Sequence, residues 1–288
     1  MTVVFDTIFA AGQWVQTERA GGKTIGLVPT MGFLHEGHLS LVRRARQRCD
    51  RVAVSIFVNP MQFVPGEDFE QYPRAFDRDL SLLEREGVHA VFHPDVKEMY
   101  PLQPVTSICI GKLGELLCGG SRPSHFRGIA TVVAKLFHIL QPDRAFFGQK
   151  DAQQAIIVQK MVWDLHFPVK IEICPTVREA DGLAMSSRNV YLSPHDRAEA
   201  TILYRSLQHA ENLIRSGISN ASRIEQEMQE MIRAVAAAEL DYARVVDPES
   251  LEGMRQIDGN VLVAVAVRFG KTRLIDNMMI TAEKRERK

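Results

Sequence analysis

Two histidines lie three residues apart in the segment PTMGFLHEGH, residues 29–38, which follows an apolar run. His35 and His38 fall at the predicted start of a helix, where side chains at positions i and i+3 project to one side. The helix start would offer unpaired N–H groups to a phosphate, and Gly32 and Gly37 would let a polyphosphate approach the backbone closely. Two imidazole donors there could stabilise the negative charge that develops on phosphorus during nucleotidyl transfer.

Two alternatives stay open for this segment. The HEGH spacing is not the HExxH zinc motif, because its histidines are separated by two residues rather than three. A metal pair is one alternative, although the sequence shows no third ligand nearby. The other is a helix N-terminus whose histidines are simply solvated.

Two further polar segments follow predicted strands. The segment IFVNPMQF presents Asn59 and Gln62, whose amide groups could bind a hydroxy acid without adding charge. Taken alone, Asn59 before proline favours a turn. In FFGQKDAQQ, Lys150 is placed to neutralise a phosphate, Asp151 could accept from ribose hydroxyls, and Gln154 lies one helical turn further on. Alternatively, Lys150 and Asp151 are an exposed pair at the start of a helix.

Three weaker signals lie elsewhere. The segment MSSRN, residues 185–189, offers two hydroxyls and an arginine that could bind a phosphate. The segment SRPSHFRG, residues 121–128, is interpreted either as a second anion site or as the loop before a helix. Asp77 and Asp79 form a candidate magnesium pair, and the alternative is that both are solvated carboxylates on a helix.

The elements that must position these residues alternate between strand and helix. Apolar runs predict strands at 24–30, 51–58, 88–94, 144–148 and 169–177. Helical periodicity lies between them, at 37–50, 76–87, 126–140 and 151–166. The strands show buried faces on both sides, so the pattern predicts an α/β fold with a doubly wound parallel sheet, Rossmann-like.

The pattern of predicted elements changes from residue 179 onward. A polar connector at 179–194 precedes helical patterns at 195–216 and 219–238, and the strand patterns at 242–247, 261–270 and 272–277 follow. Helices followed by strands predict a smaller α+β domain. We therefore expect a Rossmann-like binding domain at 1–178, a smaller C-terminal lid domain at 179–288, and a solvated tail EKRERK.

Composition excludes some classes of protein. The 288 residues contain 35 basic and 35 acidic side chains, so no overall charge favours nucleic acid or a membrane surface. The four cysteines form no CxxC pair, which indicates buried or inert thiols in a reducing compartment. No apolar run reaches about 18 residues, and the N-terminus lacks the pattern of a signal peptide. We expect a cytoplasmic protein.

The motifs resemble those of one enzyme family. The HEGH core is similar to the signature of the HIGH superfamily, which includes class I aminoacyl-tRNA synthetases and small nucleotidyltransferases. The longer string PTMGFLHEGHLSLV resembles the pantothenate synthetases, or pantoate–β-alanine ligases. Four motifs in the expected order cover about residues 24–194. Phe33 replaces a usually smaller residue, and Gln149 replaces a glutamate that many relatives have.

The resemblance implies roles for many residues. His38, the position that the family treats as proton donor, would act with His35, Lys150 and Arg188 in catalysis. Gln62 and Gln154 would bind pantoate, assisted by Asn59. The implied contacts with ATP come from Met31, Gly32, Phe33, Leu34, His35, Glu36, Gly37, His38, Gly148, Gln149, Lys150, Asp151, Val177, Met185, Ser186, Ser187 and Arg188.

The implied reaction joins pantoate to β-alanine through a pantoyl adenylate and releases AMP and pyrophosphate. The domain at 1–178 would bind ATP and pantoate. Magnesium would accompany ATP, with unknown protein ligands and no organic prosthetic group. The family also leads us to expect a homodimer without nucleic acid or membrane partners. Two other functions stay open: a nucleotidyltransferase that stops at a nucleotidyl product, and a non-catalytic nucleotide or RNA binder.

Overall fold

The computed structural model describes residues 2–282 and divides them into two compact units. The N-terminal unit contains the described residues up to Glu115, Gly119–Gln149 and Gln154–Pro175. The C-terminal unit contains Leu116–Cys118, Lys150–Gln153 and the described residues from Thr176 onward. Two short pieces from the middle of the chain therefore belong to the C-terminal unit.

Six parallel strands form the sheet of the N-terminal unit. They are β1 (Val3–Phe5), β2 (Ile25–Thr30), β3 (Arg51–Ile56), β4 (Ala90–Phe92), β5 (Arg144–Gly148) and β6 (Lys170–Cys174). Their order across the sheet is β1-β4-β3-β2-β5-β6. The α/β fold class predicted from the alternation of strands and helices is confirmed.

Seven α-helices lie along the same part of the chain. They are α1 (Ile8–Ala20), α2 (Glu36–Arg46), α3 (Phe76–Arg85), α4 (Val96–Met99), α5 (Cys118–Ser121), α6 (His125–Leu140) and α7 (Ala152–Asp164). Short 3₁₀ turns occur at Pro60–Gln62, Lys112–Gly114 and Gln149–Asp151. Strand β1 and the helices α1, α4 and α5 were not predicted from the sequence.

Both faces of the central strand β2 are covered. Ile25, Gly26, Leu27 and Val28 are all buried, as expected for a parallel strand between two layers of helices. Helix α2 contributes Leu39, Val42 and Ala45 to one of these layers. A residue on this strand must be apolar whichever face it points to, and this explains the continuous apolar run that predicted it.

The strand order reverses at β2. This strand pairs with β3 on one side and with β5 on the other, where Leu27 is in register with Ala145. In open α/β sheets, ligands bind beyond the carboxyl ends of the strands at such a reversal. The ends of β2 and β5 at Thr30 and Gly148 therefore define where a ligand of this unit is expected.

The C-terminal unit combines helices with an antiparallel sheet. Its helices are α8 (Pro194–Glu199), α9 (Ile202–Arg215) and α10 (Ala221–Arg233), and its strands are β7 (Ala238–Val246), β8 (Asn260–Phe269) and β9 (Thr272–Thr281). The strands pair in the order β7-β8-β9. One predicted helix at 195–216 is two helices in the structure, because the backbone turns at Ala200 and Thr201.

Three further expectations concern the cysteines, membrane-spanning helices, and the C-terminal tail with the domain boundary. Cys118 and Cys174 are buried, Cys49 is half-buried and Cys109 is exposed, so burial holds for part of the set and the expectation that the thiols are inert stays a prediction. No helix within residues 2–282 is long and apolar enough to cross a membrane. The tail EKRERK lies outside the described residues, and the functional division at 178 and 179 stays a prediction.

Candidate active site

The two histidines of the HEGH motif cap helix α2 with their own side chains. His35 is the N-cap residue, and its Nδ1 accepts the backbone N–H of Gly37 at 3.1 Å. In return, the backbone N–H of His35 donates to Nδ1 of His38 at 3.3 Å. This arrangement satisfies two N–H groups that a helix start leaves without intrahelical partners. The imidazoles are therefore part of the local fold as well as candidates for chemistry.

The capping bonds determine where each ring carries its proton. Because both Nδ1 atoms of His35 and His38 accept hydrogen bonds, a neutral ring must hold its hydrogen on Nε2. The ring centroids lie 4.1 Å apart with an interplanar angle of 41°. The site thus presents two neighbouring Nε2–H donors. This tautomer suits phosphate oxygens and does not suit metal ligation through Nε2, so it argues against a metal pair.

A buried carboxylate holds the turn that precedes the histidines. Gly32 and Phe33 both adopt left-handed conformations, with φ of +83° and +50°. Asp79 in the first turn of α3 accepts the N–H of Phe33 at 2.6 Å and that of Leu34 at 2.9 Å. A left-handed conformation is unfavourable for a residue with a bulky side chain such as Phe33. The two charge-assisted hydrogen bonds offset that cost.

Asp79 is almost fully buried, with 1% of its side chain exposed. Burial raises the pKa of Asp79, while the two N–H donors and the Arg78 guanidinium favour the charged carboxylate. Arg78 also donates to the carbonyl of Leu34 at 3.0 Å and lies over the Phe33 ring at 5.2 Å. The expectation that Asp79 is solvated is therefore wrong. A sequence signal did exist, because Asp79 precedes the core residue Leu83 by four positions and shares its helix face.

The amide pair predicted to bind substrate consists of one buried and one half-buried side chain. Asn59 is buried, and its Nδ2 donates to Oε1 of Gln62 at 3.1 Å and to the carbonyl of Gly128 at 3.2 Å. Its Oδ1 accepts the N–H of Met61 and the hydroxyl of Tyr100. Asn59 thus uses its full hydrogen-bonding capacity within the protein. This geometry indicates that Asn59 orients Gln62 instead of contacting a ligand itself.

An ion pair between Arg122 and Glu67 supports the backbone of Gln62 through His125. Arg122 forms a two-pronged contact with Glu67, at 2.5 and 2.8 Å, and donates to His125. His125 in turn contacts the carbonyl of Gln62 at 2.6 Å. Burial acts to raise the pKa of Glu67, but Arg122 outweighs it, so that pKa lies below its usual range. Arg122 and His125 therefore support this segment, which favours the structural interpretation of SRPSHFRG for these two residues; Arg127 is exposed.

Gly128 allows the 3₁₀ turn Pro60–Gln62 to lie directly on helix α6. A Cβ atom at Gly128 would collide with the carbonyl oxygen of Met61 and would stand 2.7 Å from the nitrogen of Gln62. Both atoms belong to the backbone, so no side chain fits without backbone movement. The position of Gln62 therefore depends on a glycine in the first turns of α6.

The remaining predicted residues divide between the two units. Gly148, Gln149 and Gln154 belong to the N-terminal unit together with Met31–His38 and the amide pair. The other members belong to the C-terminal unit: Lys150, Asp151, Val177, Met185, Ser186, Ser187 and Arg188. Each group therefore lies within one unit, and the two cations Lys150 and Arg188 belong to the same unit.

Local contacts shape the C-terminal group. Lys150 lies 3.5 Å from Asp151, and its side chain is 20% exposed. The Ser186 hydroxyl accepts the N–H of Arg188 at 3.2 Å and so starts a 3₁₀ turn at Ser187–Tyr191. The N–H of Met185 donates to the carbonyl of Val177 at 3.0 Å. The predicted phosphate-binding segment is therefore a short ordered turn.

Comparison with known proteins identifies the relatives of this chain. The profile of the family described as pantoate-beta-alanine ligase matches residues 3–279. A pantothenate synthetase of Syntrophomonas wolfei is 54% identical over 96% of this chain and 99% of its own. One from Thermotoga petrophila is also 54% identical, over 96% of this chain and 99% of its own.

Two solved structures extend the similarity to the fold. The crystal structure of pantothenate synthetase from Thermus thermophilus has a TM-score of 0.90 at 46% identity and covers 96% of this chain and 98% of its own. A ligase from Francisella tularensis, solved with beta-gamma ATP and beta-alanine, has a TM-score of 0.79 at 33% identity. It covers 97% of this chain and 98% of its own.

We expect Asp79→Asn to destabilise the protein by about 1–3 kcal/mol, because the new NH₂ group faces a backbone N–H that then lacks an acceptor. Urea unfolding measures the loss, and hydrogen exchange should be faster at the amides of Phe33 and Leu34. Asp77→Asn is the matched control, since this exposed residue lies in the same first turn. Equal effects of the two substitutions would mean that Asp79 does not hold the turn.

We expect Gly128→Ala to destabilise the protein by about 1–3 kcal/mol, the usual cost of overpacking. Thermal unfolding provides the measurement. Gly12→Ala in α1 is the control, because a Cβ atom there meets nothing within 4 Å and alanine is favoured by up to ~1 kcal/mol in helices. Unchanged stability of Gly128→Ala would show that the close packing against Met61 is not required.

Proposed function

The chain belongs to the pantoate–β-alanine ligase family and joins pantoate to β-alanine with ATP, and from this premise we propose how its residues perform the reaction. Direct joining of a carboxylate to an amine is unfavourable in water, since hydroxide is a poor leaving group. We propose that a pantoate carboxylate oxygen attacks the α-phosphorus of ATP and that the bond to the bridging oxygen breaks, which releases pyrophosphate. The β-alanine nitrogen then attacks the acyl carbon, AMP leaves, and the nitrogen loses a proton.

One observation carries this proposal. His35 and His38 lie at the start of helix α2, after strand β2, and capping hydrogen bonds fix the tautomers of their imidazoles. Phosphoryl transfer needs positioning and charge stabilisation more than covalent catalysis. In this proposal, the Nε2–H groups of His35 and His38 donate to oxygens of the α-phosphate as negative charge develops there. The resemblance of the HEGH motif to the family also assigns to His38 the role of proton donor, and this role is part of the proposal.

Pantoate binding is assigned to the amide side chains. Gln62 and Gln154 would donate to the hydroxyl and carboxylate oxygens of pantoate, while Asn59 fixes the orientation of Gln62. This assignment is supported by the bonds that Asn59 makes to Gln62 and Gly128. A neutral amide suits this task, because it does not neutralise the carboxylate that must act as the nucleophile.

Lys150 and Arg188 are assigned to the β- and γ-phosphates and to the departing pyrophosphate. A guanidinium binds phosphate oxygens in a two-pronged manner, and an ammonium acts as a compact charge. Asp151 would accept from the ribose hydroxyls, and Val177 would pack against adenine. The other ATP contacts come from backbone groups of Met31–His38, from Gly148 and Gln149, and from Met185, Ser186 and Ser187.

Magnesium enters this proposal as part of the substrate MgATP. Residues 2–282 contain no group of three or more His, Cys, Asp or Glu side chains that could hold a metal ion. This supports binding of the ion mainly through phosphate oxygens, the usual mode for magnesium with nucleotides. The ion would neutralise phosphate charge; the protein residues orient the substrates. A homodimer in the cytoplasm completes the proposal by analogy with the family.

The overall reaction has a direct test. Incubation with ATP, magnesium, pantoate and β-alanine should give AMP and pantothenate, which mass spectrometry detects. Omission of β-alanine should still give pyrophosphate with an enzyme-bound adenylate. A stable nucleotidyl product, formed without release of AMP, would instead support a nucleotidyltransferase.

For His38→Ala we expect at least a ~10²-fold lower rate of adenylate formation, because one well-placed donor to the transition state is lost. Single-turnover release of pyrophosphate measures this rate. His38→Gln is the informative comparison, since glutamine can cap the helix at this position but offers no imidazole. A Gln variant with near-normal activity would mean that His38 only caps α2. His138→Ala, at an exposed position on α6, should leave the rate unchanged.

For Gln62→Ala we expect roughly tenfold weaker pantoate binding with unchanged ATP binding, because one hydrogen bond to a charged ligand is lost. Calorimetric titration with each ligand separately measures both affinities. Gln159→Ala, at an exposed position on α7, serves as control. Equal losses for the two ligands would contradict the assignment of Gln62 to pantoate.

A further inference from the structure

A buried ion pair lies inside the C-terminal unit, apart from any residue assigned above. Asp276 on β9 has 1% of its side chain exposed and accepts two hydrogen bonds from Arg178, at 2.5 and 3.1 Å. Burial raises the pKa of Asp276, while the Arg178 guanidinium favours its charged form. A buried ion pair seldom adds much net stability, because removing two charges from water is costly. Its contribution therefore has to be sought in what it positions.

Asp276, the acidic partner of this pair, is linked to Lys150 through the next residue, Asn277. The backbone N–H of Asn277 donates to Oδ1 of Asp276 at 2.8 Å. The side-chain Nδ2 of the same residue donates to the backbone carbonyl of Lys150, also at 2.8 Å. Asn277 is buried, with 5% of its surface exposed. The pair Asp276–Asn277 thus holds the backbone of a residue that is distant in sequence.

Arg178, the basic partner of this pair, closes a hairpin at residues 178–184. Arg178 forms an antiparallel bridge with Ala184, and its Nη1 donates to the carbonyl of Gly182 at 3.1 Å. Its guanidinium lies 4.1 Å from the centroid of the Tyr204 ring. Gly182 has a φ of +93°, and a Cβ atom there would collide with the Tyr204 ring. The hairpin at 178–184 is therefore held at its two ends by one arginine and packed on one ring.

The Ser186–Arg188 turn continues directly from this hairpin. The Nδ2 of Asn189 donates to the carbonyl of Ala184 at 3.1 Å, and Met185 is bonded to Val177. The turn is thus bonded to the hairpin through Ala184, and the residue before the turn, Met185, is bonded to the residue before the hairpin, Val177. The contacts from Asp276 run without a gap from the backbone of Lys150 to the turn that carries Arg188.

We propose that Asp276, through Arg178 and Asn277, is a positioning residue that holds Lys150 and the Ser186–Arg188 turn as one rigid phosphate-binding element. The proposal rests on the phosphate-binding role assigned to Lys150 and Arg188 above. Long cationic side chains lose conformational freedom when they grip a phosphate. Backbones that are already fixed reduce that cost and place both charges where the pyrophosphate develops its charge.

Asn277→Ala is the most selective test, because it removes the donor to Lys150 and leaves the Asp276–Arg178 pair in place. We expect kcat/KM for ATP to fall roughly tenfold to hundredfold, with KM for pantoate nearly unchanged. Asn260→Ala on β8 is the matched control, since its side chain bonds Thr281 and none of the residues above. Asp276→Asn should cause a larger loss of the same kind, and thermal unfolding of each variant shows whether it folds.

A double-mutant cycle separates positioning from a general loss of structure. In a Lys150→Ala background, Asn277→Ala should cost little further activity with ATP, because no ammonium remains to be positioned. Additive losses in the two backgrounds, or equal losses for ATP and pantoate, would overturn the proposal. A Lys150→Ala enzyme with near-normal activity would instead refute the role of Lys150 itself, whatever Asn277 does.

Discussion

The candidate site of the N-terminal unit depends on one buried carboxylate. Asp79 accepts the N–H groups of Phe33 and Leu34, and it thereby holds the turn in which Gly32 and Phe33 are left-handed, one residue ahead of the N-cap His35 of α2. The position of both imidazoles follows from where this helix begins. A residue that contacts no proposed substrate thus determines the geometry of the proposed chemistry, as is common where a site needs preorganised donors.

Capping and the proposed chemistry use different nitrogens of the same rings. Helix starts are normally capped by Ser, Thr, Asp or Asn, because short oxygen-bearing side chains reach the N–H groups easily. Here two histidines do this with Nδ1, which leaves Nε2 as the proton-bearing atom of each ring. The helix therefore selects the tautomer that can donate to a phosphate. Substitution by a conventional cap would preserve the helix and remove the donors.

The sequence predicted five of the six strands of the N-terminal sheet, most of the long helices and the local motifs, because these depend on periodicity and on neighbours in the chain. It did not reveal how Asn59 uses its four hydrogen bonds, since Tyr100 and Gly128 reach it from elsewhere in the fold. The burial of Asp79 was also missed, although Asp79 lies four residues before the core residue Leu83 and therefore shares its helix face. No residue near Lys150 in the sequence indicates that Asn277 donates a hydrogen bond to its backbone carbonyl. Roles set by distant partners require the folded chain.

The bond between Asn277 and Lys150 joins residues that are 127 positions apart. During synthesis on the ribosome, Lys150 emerges long before its partner, so the C-terminal unit cannot complete this part of its structure until Asn277 has been made. The N-terminal sheet can assemble earlier, because its last strand ends at Cys174. Contacts of such long range slow folding, and they couple its completion to the synthesis of β9. Chains that terminate early would therefore keep a folded sheet and lack the fixed backbone at Lys150.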